Sequence, residues 1–383
     1  MTKPTETPST APMPPSELAM HVSPVAGALF LLFLAAALLS SLWLMIRGPI
    51  EFLPAVVTRD MLLHGDLTHR FAKELSDAPL PKRAADLERG GSWLALGDLG
   101  PRVREGCPGW LFLADELRLH HDAAGNAQSK AQAAIKLQRE LAKRGIQMLV
   151  MVVPDKSRIA SAQLCQLARP ASLAPRVEHW LGLLHQAGVP ALDLTATLQP
   201  LGEQAFLRTD THWSETGARA AAQRIAQAIA ELKFEPTPRQ DFELGQEPLA
   251  RRPGDLVRLA GIDWLPLSLQ PPAESVAATQ INPRASDSGD GQESLDDLFG
   301  DSNLPNTAVI GTSFSRNSNF VGFLELALGA PVGNFAKDGG EFSGAAKDYF
   351  DNPAFKQTPP KLVIWEIPER DLQTPYDEGV HLP

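Results

Sequence analysis

The most extended apolar run of the sequence, VAGALFLLFLAAALLSSLWLMI, covers Val25 to Ile46 and contains no charged residue. It is apolar on every face and has about the length of one bilayer crossing as a helix. A cleaved signal peptide is a poorer match, because the run is long and no clear A-x-A site follows it. We therefore predict one transmembrane helix over 25–46, preceded by a disordered, Pro/Thr/Ser-rich tail over 1–24, which is cytoplasmic if the following domain is exported.

Beyond this span, segments with helical spacing of apolar residues alternate with continuous apolar runs. Helical spacing predicts an amphipathic helix over 52–76, inside a membrane-proximal stalk and linker over 47–104. Three further helices are predicted at 129–145, 173–188 and 214–232. Ser129 and Ser214 are expected to cap the first and the last of these three.

Continuous apolar runs, rich in β-branched residues, separate the helical segments and are typical of buried parallel strands. They occupy 146–154, 189–194, the start of 307–329, and 361–369. GCPGWLFLADE, at 106–116, is typical of a turn followed by a strand. The alternation predicts an α/β fold with a mainly parallel sheet over 105–383. Within that domain, residues 235–300 are rich in Pro, Asp, Ser and Gly, which predicts a loop-rich excursion.

Composition removes several function classes. The chain has 383 residues, of which 44% are hydrophobic and 21% charged, an ordinary globular balance. Its net charge is -10 and it has no basic stripe, so nucleic acid is not an expected partner. The sequence has neither a P-loop nor a dinucleotide fingerprint, and its nine histidines form no H-E-x-x-H, so no cofactor or metal is expected. Lys3 before the apolar run and Arg47 and Arg59 after it leave the membrane orientation open.

The two cysteines of the chain are Cys107 and Cys165. Two thiols cannot make a four-thiolate zinc site. They are either two buried free thiols or one disulfide, and the compartment in which the domain resides decides between the two.

A candidate nucleophile lies in AVIGTSFS, at 308–315, where a strand ends at Gly311 and Ser313 stands at the turn into a helix. Ligands bind at the carboxyl ends of strands in such sheets, and the amides of the following helix can stabilise an oxyanion. The competing interpretation is an N-cap serine without chemistry, a role that Ser315 could also fill. The segment lacks the second glycine of an α/β-hydrolase elbow.

A candidate base lies in LRTDTHWSETG, at 207–217. Asp210 and His212 are two residues apart, so in an extended segment they point to the same side. A serine nucleophile needs a base, and a histidine base needs an acid that orients it. Alone, this stretch could be a packed polar loop. Together with Ser313, it predicts a Ser-His-Asp site for acyl transfer.

These two segments carry a family resemblance. LRTDTHWSETGARAAA and VIGTSFSRNSNFVGFL resemble the SGNH-hydrolase-like domain of bacterial polysaccharide O-acetyltransferases, of the alginate biosynthesis J and X type. Weaker support comes from GCPGWLFL, VVPDKSRI and WEIPERDL, and the resemblance covers most of 105–372. In ordinary SGNH enzymes the serine block comes first, whereas here the Asp/His block precedes it, as in the acetyltransferase group. The resemblance implies an SGNH-like three-layer fold and the membrane-anchored J type.

By this resemblance, Ser313 is the nucleophile, His212 the general base and Asp210 the acid that orients it. Other residues near the motifs are candidates for substrate or oxyanion contact, each with a structural alternative. Asn317 and Asn319 could instead be helix-surface amides, Arg316 a solvated side chain, Lys156 an ordinary surface lysine and Trp213 a core residue.

The resemblance also implies a reaction and a location. Ser313 would take an acetyl group from a membrane-bound O-acyltransferase and pass it to a hydroxyl of an exported polysaccharide, in a polysaccharide synthase complex. The chain would span the bacterial inner membrane once, with its catalytic domain in the periplasm, where a Cys107–Cys165 disulfide is one of the two outcomes. Two other functions compete with this one. A carbohydrate acetylesterase would use the same residues with water as the acceptor, whereas an inactive scaffold would only bind polysaccharide in the synthase complex, and the intact triad argues against it. The residues do not identify the polymer.

Overall fold

The computed structural model describes residues 23–47, 54, 56–284, 304–376 and 380. Two compact units are present, Met1–Ala85 and Asp86–Pro383. The first helices of the chain are α1 (Pro24–Arg47), α2 (Arg59–Leu63), α3 (Asp66–Ser76) and α4 (Pro79–Leu96), the last of which crosses the boundary between the units. The predicted disordered tail lies outside the described residues except for its last two positions.

The apolar run forms α1, whose side chains are almost all exposed. Its stretch Pro24–Ile46 has a mean hydropathy of 2.5. It is therefore long and apolar enough to cross a membrane, and a signal sequence near the N-terminus meets the same criteria.

The amphipathic helix predicted over 52–76 is divided. Gly65 adopts a left-handed φ of +80° and separates α2 from α3, so the prediction of one continuous helix is wrong. Thr58 begins α2 by accepting a hydrogen bond from the N–H of Met61 at 3.3 Å. Residues 51–53 and 55 lie outside the described part of the chain.

The second unit carries the strands and the remaining helices. The strands are β1 (Val103–Glu105), β2 (Leu111–Leu113), β3 (Gln147–Val153), β4 (Ala191–Asp193), β5 (Phe242–Gln246), β6 (Ala250–Arg252), β7 (Glu274–Val276), β8 (Thr279–Pro283), β9 (Thr307–Ile310), β10 (Gly333–Asn334) and β11 (Leu362–Pro368). The helices are α5 (Ala123–Lys143), α6 (Lys156–Ile159), α7 (Arg176–Gln186), α8 (Thr195–Leu198), α9 (Glu215–Glu231), α10 (Asp255–Leu259), α11 (Phe320–Leu328), α12 (Gly344–Asp351) and α13 (Pro353–Gln357).

Five of these strands form a parallel sheet in the order β10-β9-β11-β3-β4. The central strand β11 pairs with β3 along its whole length and with β9 over four residues. Both β11 and β9 are buried at every position, as their continuous apolar runs predict.

Helices cover both faces of this sheet, and successive residues of β3 alternate between two cores. Met148, Val150 and Val152 pack with α5, α7 and α12 on one face. Leu149, Met151 and Val153 pack with α9 and α11 on the other. This period of two is the pleat of a strand that is buried on both sides. The predicted three-layer α/β fold is confirmed.

Two local predictions within this unit need correction. α5 begins at Ala123, and Asp122 accepts the N–H of Gly125 at 3.2 Å, so Ser129 is inside the helix and is not its cap. Ser214 does cap α9, by accepting the N–H of Gly217 at 3.1 Å. The described part of the predicted excursion, 235–284, is more structured than expected, because it contains the antiparallel pairs β5–β8 and β6–β7 as well as α10. Residues 285–300 of that prediction lie outside the described residues.

Candidate active site

Asp210 and His212 lie in a short loop between α8 and α9, which we call the D-T-H loop (Asp210–His212). Its two ends are held together, because the N–H of Leu207 donates to the carbonyl of His212 at 3.2 Å and Phe206 bridges to Trp213. Both side chains are buried. Asp210 Oδ1 accepts the backbone N–H of His212 at 2.9 Å and lies 2.6 Å from His212 Nδ1. The spacing of two residues therefore places carboxylate and imidazole on one side of the loop.

Ser313 stands beyond the carboxyl end of β9, at the first position of a 3-10 turn that ends at Arg316. The buried carboxylate of Glu366 on β11 holds this turn. It accepts the N–H of Thr312 at 2.6 Å, the hydroxyl of Thr312 at 3.0 Å and the hydroxyl of Ser315 at 3.1 Å. Burial raises the pKa of Glu366, against the effect of these hydrogen bonds. Ser315 is thus bound to the sheet.

Gly311 is required by the same contact between the turn and β11. A Cβ at this position would lie 2.5 Å from Glu366 Oε2 and 2.7 Å from its Cβ. The glycine that precedes the candidate nucleophile therefore permits a close approach of two strand ends.

The turn and the D-T-H loop bring the predicted triad together. His212 Nε2 lies 2.7 Å from Ser313 Oγ, so both ring nitrogens of His212 have a partner. The ring of Phe314 packs edge-on against His212, with centroids 5.2 Å apart. Ser313 is half-buried, whereas His212 is buried. A serine, an imidazole and a carboxylate in this line have the arrangement of a nucleophile, a base and an orienting acid.

The charge of Asp210 is set by its hydrogen bonds. Burial alone would raise the pKa of Asp210, but the hydrogen bonds and charge of His212 outweigh burial and hold this pKa well below its usual range. An ionised Asp210 can only accept hydrogen bonds, so the Nδ1 of His212 carries the proton and donates its N–H to Asp210. Nε2 is then free to accept a hydrogen bond from the hydroxyl of Ser313.

The excursion 235–300 supplies two residues that the sequence analysis missed. Asp255, the first residue of α10, accepts the N–H of Thr211 at 2.6 Å, and its Oδ2 lies 3.7 Å from His212 Nδ1. Arg252 lies 4.0 Å from the carboxylate of Asp210 and donates to Asn317 Oδ1 at 3.3 Å. The only signal in the sequence is a Pro-Gly-Asp step before the apolar pattern LVRLAGI, which is typical of many helix starts.

The site opens into a surface cleft of about 610 Å³, with Ser313, His212 and Asn317 on its wall. Several cations line the same cleft: Arg102, Arg252, Arg258 and Arg370. Arg370 follows β11, and its guanidinium lies over the ring of Phe314 at 5.4 Å. The cleft is at the carboxyl edge of the parallel sheet, where α/β proteins bind their ligands.

Lys156 does not line this cleft, so that prediction is wrong. Its side chain is fully buried, and Nζ donates to the carbonyls of Leu111, Arg208 and Asp210 at 2.6, 2.7 and 3.0 Å. Burial lowers the pKa of Lys156 to about 8. Its role is to fasten the start of the D-T-H loop to β2.

Trp213 is a core residue and does not offer a platform for a sugar ring. It is fully buried, and its ring packs against Phe314 and Phe320 with centroids 5.2 and 4.8 Å away. These contacts hold the D-T-H loop against the turn of Ser313 and the start of α11.

Asn317, Asn319 and Arg316 lie in three different surroundings. Asn317 is on the cleft wall, where Nδ2 donates to the carbonyl of Ser313 at 2.9 Å. Asn319 instead donates to the carbonyl of Thr279 at 2.7 Å and so ties the excursion to α11. Arg316 is exposed and lies 3.6 Å from Asp338. Of the three side chains, only that of Asn317 lines the cleft among the described residues, and its contact with substrate stays a prediction.

Cys107 and Cys165 are joined by a disulfide that links the turn before β2 to the segment after α6. This arrangement is the second of the two outcomes that the sequence left open.

The atoms of Asp210, His212 and Asp255 are close enough to resemble a metal site, since they lie within 4.8 Å of one another. The donors around them favour another use. Asp210 receives two N–H groups from His212, and the backbone N–H of Asp255 lies 3.3 Å from Asp210 Oδ2. A carboxylate that already accepts three N–H groups is suited to orienting an imidazole.

The fold and this site define the chain as an α/β enzyme of the SGNH-hydrolase-like class. The sequence model of the family described as "SGNH hydrolase-like domain, acetyltransferase AlgX" matches residues 103–369. The chain belongs to this family of acetyltransferases, as the order of the two motifs predicted. Its predicted enzyme class, an O-acetyltransferase, is likewise confirmed by the relatives that follow.

Two relatives are proteins named probable alginate O-acetylase AlgJ. That of Pseudomonas aeruginosa is 33% identical over 325 residues, covering 81% of this chain and 81% of its own. That of Azotobacter vinelandii is 32% identical over 352 residues, covering 90% of this chain and 88% of its own. Such relatives support polysaccharide acetylation as the general function.

Solved structures agree with this assignment. The O-acetyltransferase domain of Pseudomonas putida AlgJ superposes with a TM-score of 0.61 at 28% identity, covering 72% of this chain and 94% of that one. Pseudomonas aeruginosa AlgX superposes with a TM-score of 0.52 at 24% identity, covering 70% of this chain and 62% of that one, and shows the shared fold.

Proposed function

We propose that this chain transfers acetyl groups to hydroxyls of an exported polysaccharide through an acetyl-serine intermediate at Ser313. The observation that carries the proposal is the continuous line of contacts from Ser313 Oγ to His212 at 2.7 Å and from His212 to Asp210 at 2.6 Å. Ser313, at one end of this line, lies on the wall of the cleft of about 610 Å³. Asp210, His212 and Ser313 therefore take the roles of orienting acid, general base and nucleophile.

The transfer has two halves that use the same base. His212 Nε2 removes the proton of Ser313 as Oγ attacks the acetyl carbonyl of the donor, and the leaving group departs with that proton. In the second half, His212 removes the proton of an acceptor hydroxyl, whose oxygen attacks the acetyl-serine. The C–O bond to Ser313 breaks, and the serine regains its proton from His212. The ionised Asp210 stabilises the imidazolium in both halves.

We propose an acidic polysaccharide as the acceptor. The curated relatives are named for alginate, a polymer of uronic acids, and four arginines line the cleft beside Ser313. Arginine suits carboxylates because its planar guanidinium can bind both oxygens. Five aspartates line the same walls, and four of them face another partner: Asp210 and Asp255 face His212, Asp115 faces Arg118 and Asp338 faces Arg316. The fifth is Asp263.

We further propose that α1 anchors the chain in the inner membrane and that the second unit works in the periplasm. The length and hydropathy of α1 support the anchor. The Cys107–Cys165 disulfide supports an oxidising compartment. A membrane-bound O-acyltransferase would then deliver the acetyl group, within a polysaccharide synthase complex.

The test uses the full-length protein in detergent, an aryl acetate as donor, and two acceptors, oligomannuronate and a neutral cello-oligosaccharide. We expect acetylated oligomannuronate from the wild type and none from Ser313→Ala. An acetyl group retained on Ser313 in the absence of acceptor, detected by peptide mass spectrometry, is the expected intermediate. Release of acetate without acetylated sugar would identify an esterase. Binding without either product would identify a scaffold, and equal activity of Ser313→Ala would refute the nucleophile.

A further inference from the structure

Asp255 lies outside both sequence motifs, yet its carboxylate contacts the D-T-H loop. Its Oδ1 accepts the N–H of Thr211 at 2.6 Å, and its Oδ2 lies 3.7 Å from His212 Nδ1. In return, the N–H of Asp255 lies 3.3 Å from Asp210 Oδ2. Two carboxylates therefore flank the same ring nitrogen, and each is tied to the backbone of the other's segment.

The segment that carries Asp255 is fixed to the loop by its backbone. The N–H of Leu256 donates to the carbonyl of Thr209 at 3.2 Å. A Cβ at Gly254 would lie only 1.8 Å from that carbonyl oxygen, so only glycine allows α10 to come this close. Leu256 and Val257 are buried in a small apolar cluster with β2. The position of Asp255 is therefore set by packing.

We propose that Asp255 is a positioning residue for the general base, holding the loop through Thr211 and placing a second negative charge beside His212. This inference rests on the proposed function. When His212 takes the proton of Ser313, the imidazolium faces the carboxylates of Asp210 and Asp255 together. Two ionised carboxylates at this distance repel each other unless a cation forms between them, so Asp255 favours the state in which the base is protonated.

The charges of the neighbouring elements complete this electrostatic environment. Arg252 on β6 and Lys156 on α6 lie beside Asp210, and Arg370 after β11 lies across Phe314 from His212. Burial, followed by the negative charge of Asp210, raises the pKa of Asp255. Carboxylates perturbed by burial and a like charge occur preferentially at functional sites.

The test compares Asp255→Asn with the wild type and with Asp241→Asn. Asparagine keeps the volume and an acceptor for the N–H of Thr211, but it removes the charge. Asp241 is exposed in the same excursion and serves as the matched control with the same change of charge. General bases contribute about 10²–10⁴ in rate, so a residue that acts through the base should cost less, roughly 10-fold to 100-fold in kcat/KM.

The pH profile separates positioning from a purely structural role. Without the second negative charge the imidazolium is less favoured, so the acid limb of kcat/KM moves to lower pH in Asp255→Asn. Asp255→Glu restores the charge and should return the limb toward its wild-type position. Asp255→Ser, a second neutral variant that can still accept from Thr211, replaces the asparagine variant if the latter does not fold.

Two results overturn the inference: wild-type kcat/KM in the neutral variants, or a lower rate with an unmoved acid limb. Ser313→Ala is measured in parallel. If that variant is active, the proposed function itself fails; if it is inactive while the neutral variants behave as wild type, only the role of Asp255 fails.

Discussion

Replacing Asp210 by asparagine tests the line of contacts on which the proposed mechanism depends. The carboxylate accepts two N–H groups of His212, one from the ring at 2.6 Å and one from the backbone at 2.9 Å. Asparagine has nearly the same shape, so it fits the same space. It loses the negative charge, and its amide can turn an N–H toward Nδ1, which would favour the tautomer with the proton on Nε2. In that tautomer Nε2 cannot accept the proton of Ser313.

Two bounds give the free energy of transition-state stabilisation that Asp210→Asn is expected to lose. A hydrogen bond to a charged group contributes about 1.5–3 kcal/mol. The Coulomb attraction between Asp210 and an imidazolium 2.6 Å away is roughly 6 kcal/mol at an effective dielectric constant of about 20. An intermediate value of about 4 kcal/mol corresponds to a loss of about 10³ in kcat/KM.

The assay is the transfer of acetyl from an aryl acetate to oligomannuronate, followed for the wild type, Asp210→Asn and Ser313→Ala at pH 7. Thermal unfolding of each variant establishes that it is folded, and Asp241→Asn controls for the loss of one negative charge. We expect Asp210→Asn to lie close to the inactive serine variant. A rate within about threefold of wild type, with Ser313→Ala inactive, would mean that Asp210 does not orient the base.

Two further predictions concern buried charges. Lys156→Met removes a donor from the carbonyls of Leu111, Arg208 and Asp210, of which that of Arg208 still accepts the N–H of Leu111. We expect this variant to lower the free energy of unfolding by about 3 kcal/mol in urea titrations. The exposed Lys136→Met should change it by under about 0.5 kcal/mol, and an equal effect of both would contradict the role of Lys156. Glu369 is buried among three arginines. Burial opposes its ionisation, but its hydrogen bonds and those charges lower its pKa from 4.5 to about 2. Its stabilisation is therefore present above pH 4.5 and lost as the pH falls toward 2. The difference in unfolding free energy between wild type and Glu369→Gln should therefore shrink over this interval, and a constant difference down to pH 2 would contradict the assignment.

The sheet and the contacts among Ser313, His212 and Asp210 could be predicted because each leaves a strong local signal. β3 and β11 are buried on both faces, so nearly every residue is apolar and the run is continuous. Asp210 and His212 are two residues apart in one short loop, and Ser313 follows a strand whose parallel neighbours end at the same edge. Topology alone then brings the motifs together, although they are far apart in the sequence.

Other features had no local signal. The residues before Ser129 include a glycine and an asparagine, which are poor helix formers, and the cap Asp122 adopts a left-handed φ of +50° that is uncommon at this position. Lys156 stands after a strand as a cleft lysine would, and only its three carbonyl partners, which come from distant segments, show that it is buried. Its position in the sequence is the same in either case.

The excursion shows why composition is a poor guide to function at a site of this kind. Its proline, glycine and aspartate content predicts loops, yet β6 and α10 carry Arg252 and Asp255 to the D-T-H loop. The loop is held from three directions: by Lys156 at Asp210, by the packing of Trp213 against Phe314, and by α10 at Thr211. The first two sets of contacts come from the α/β core, and the third comes from an insertion into that core. Because Gly254 permits the close approach of that insertion, the geometry around the proposed base His212 depends on a residue without a side chain.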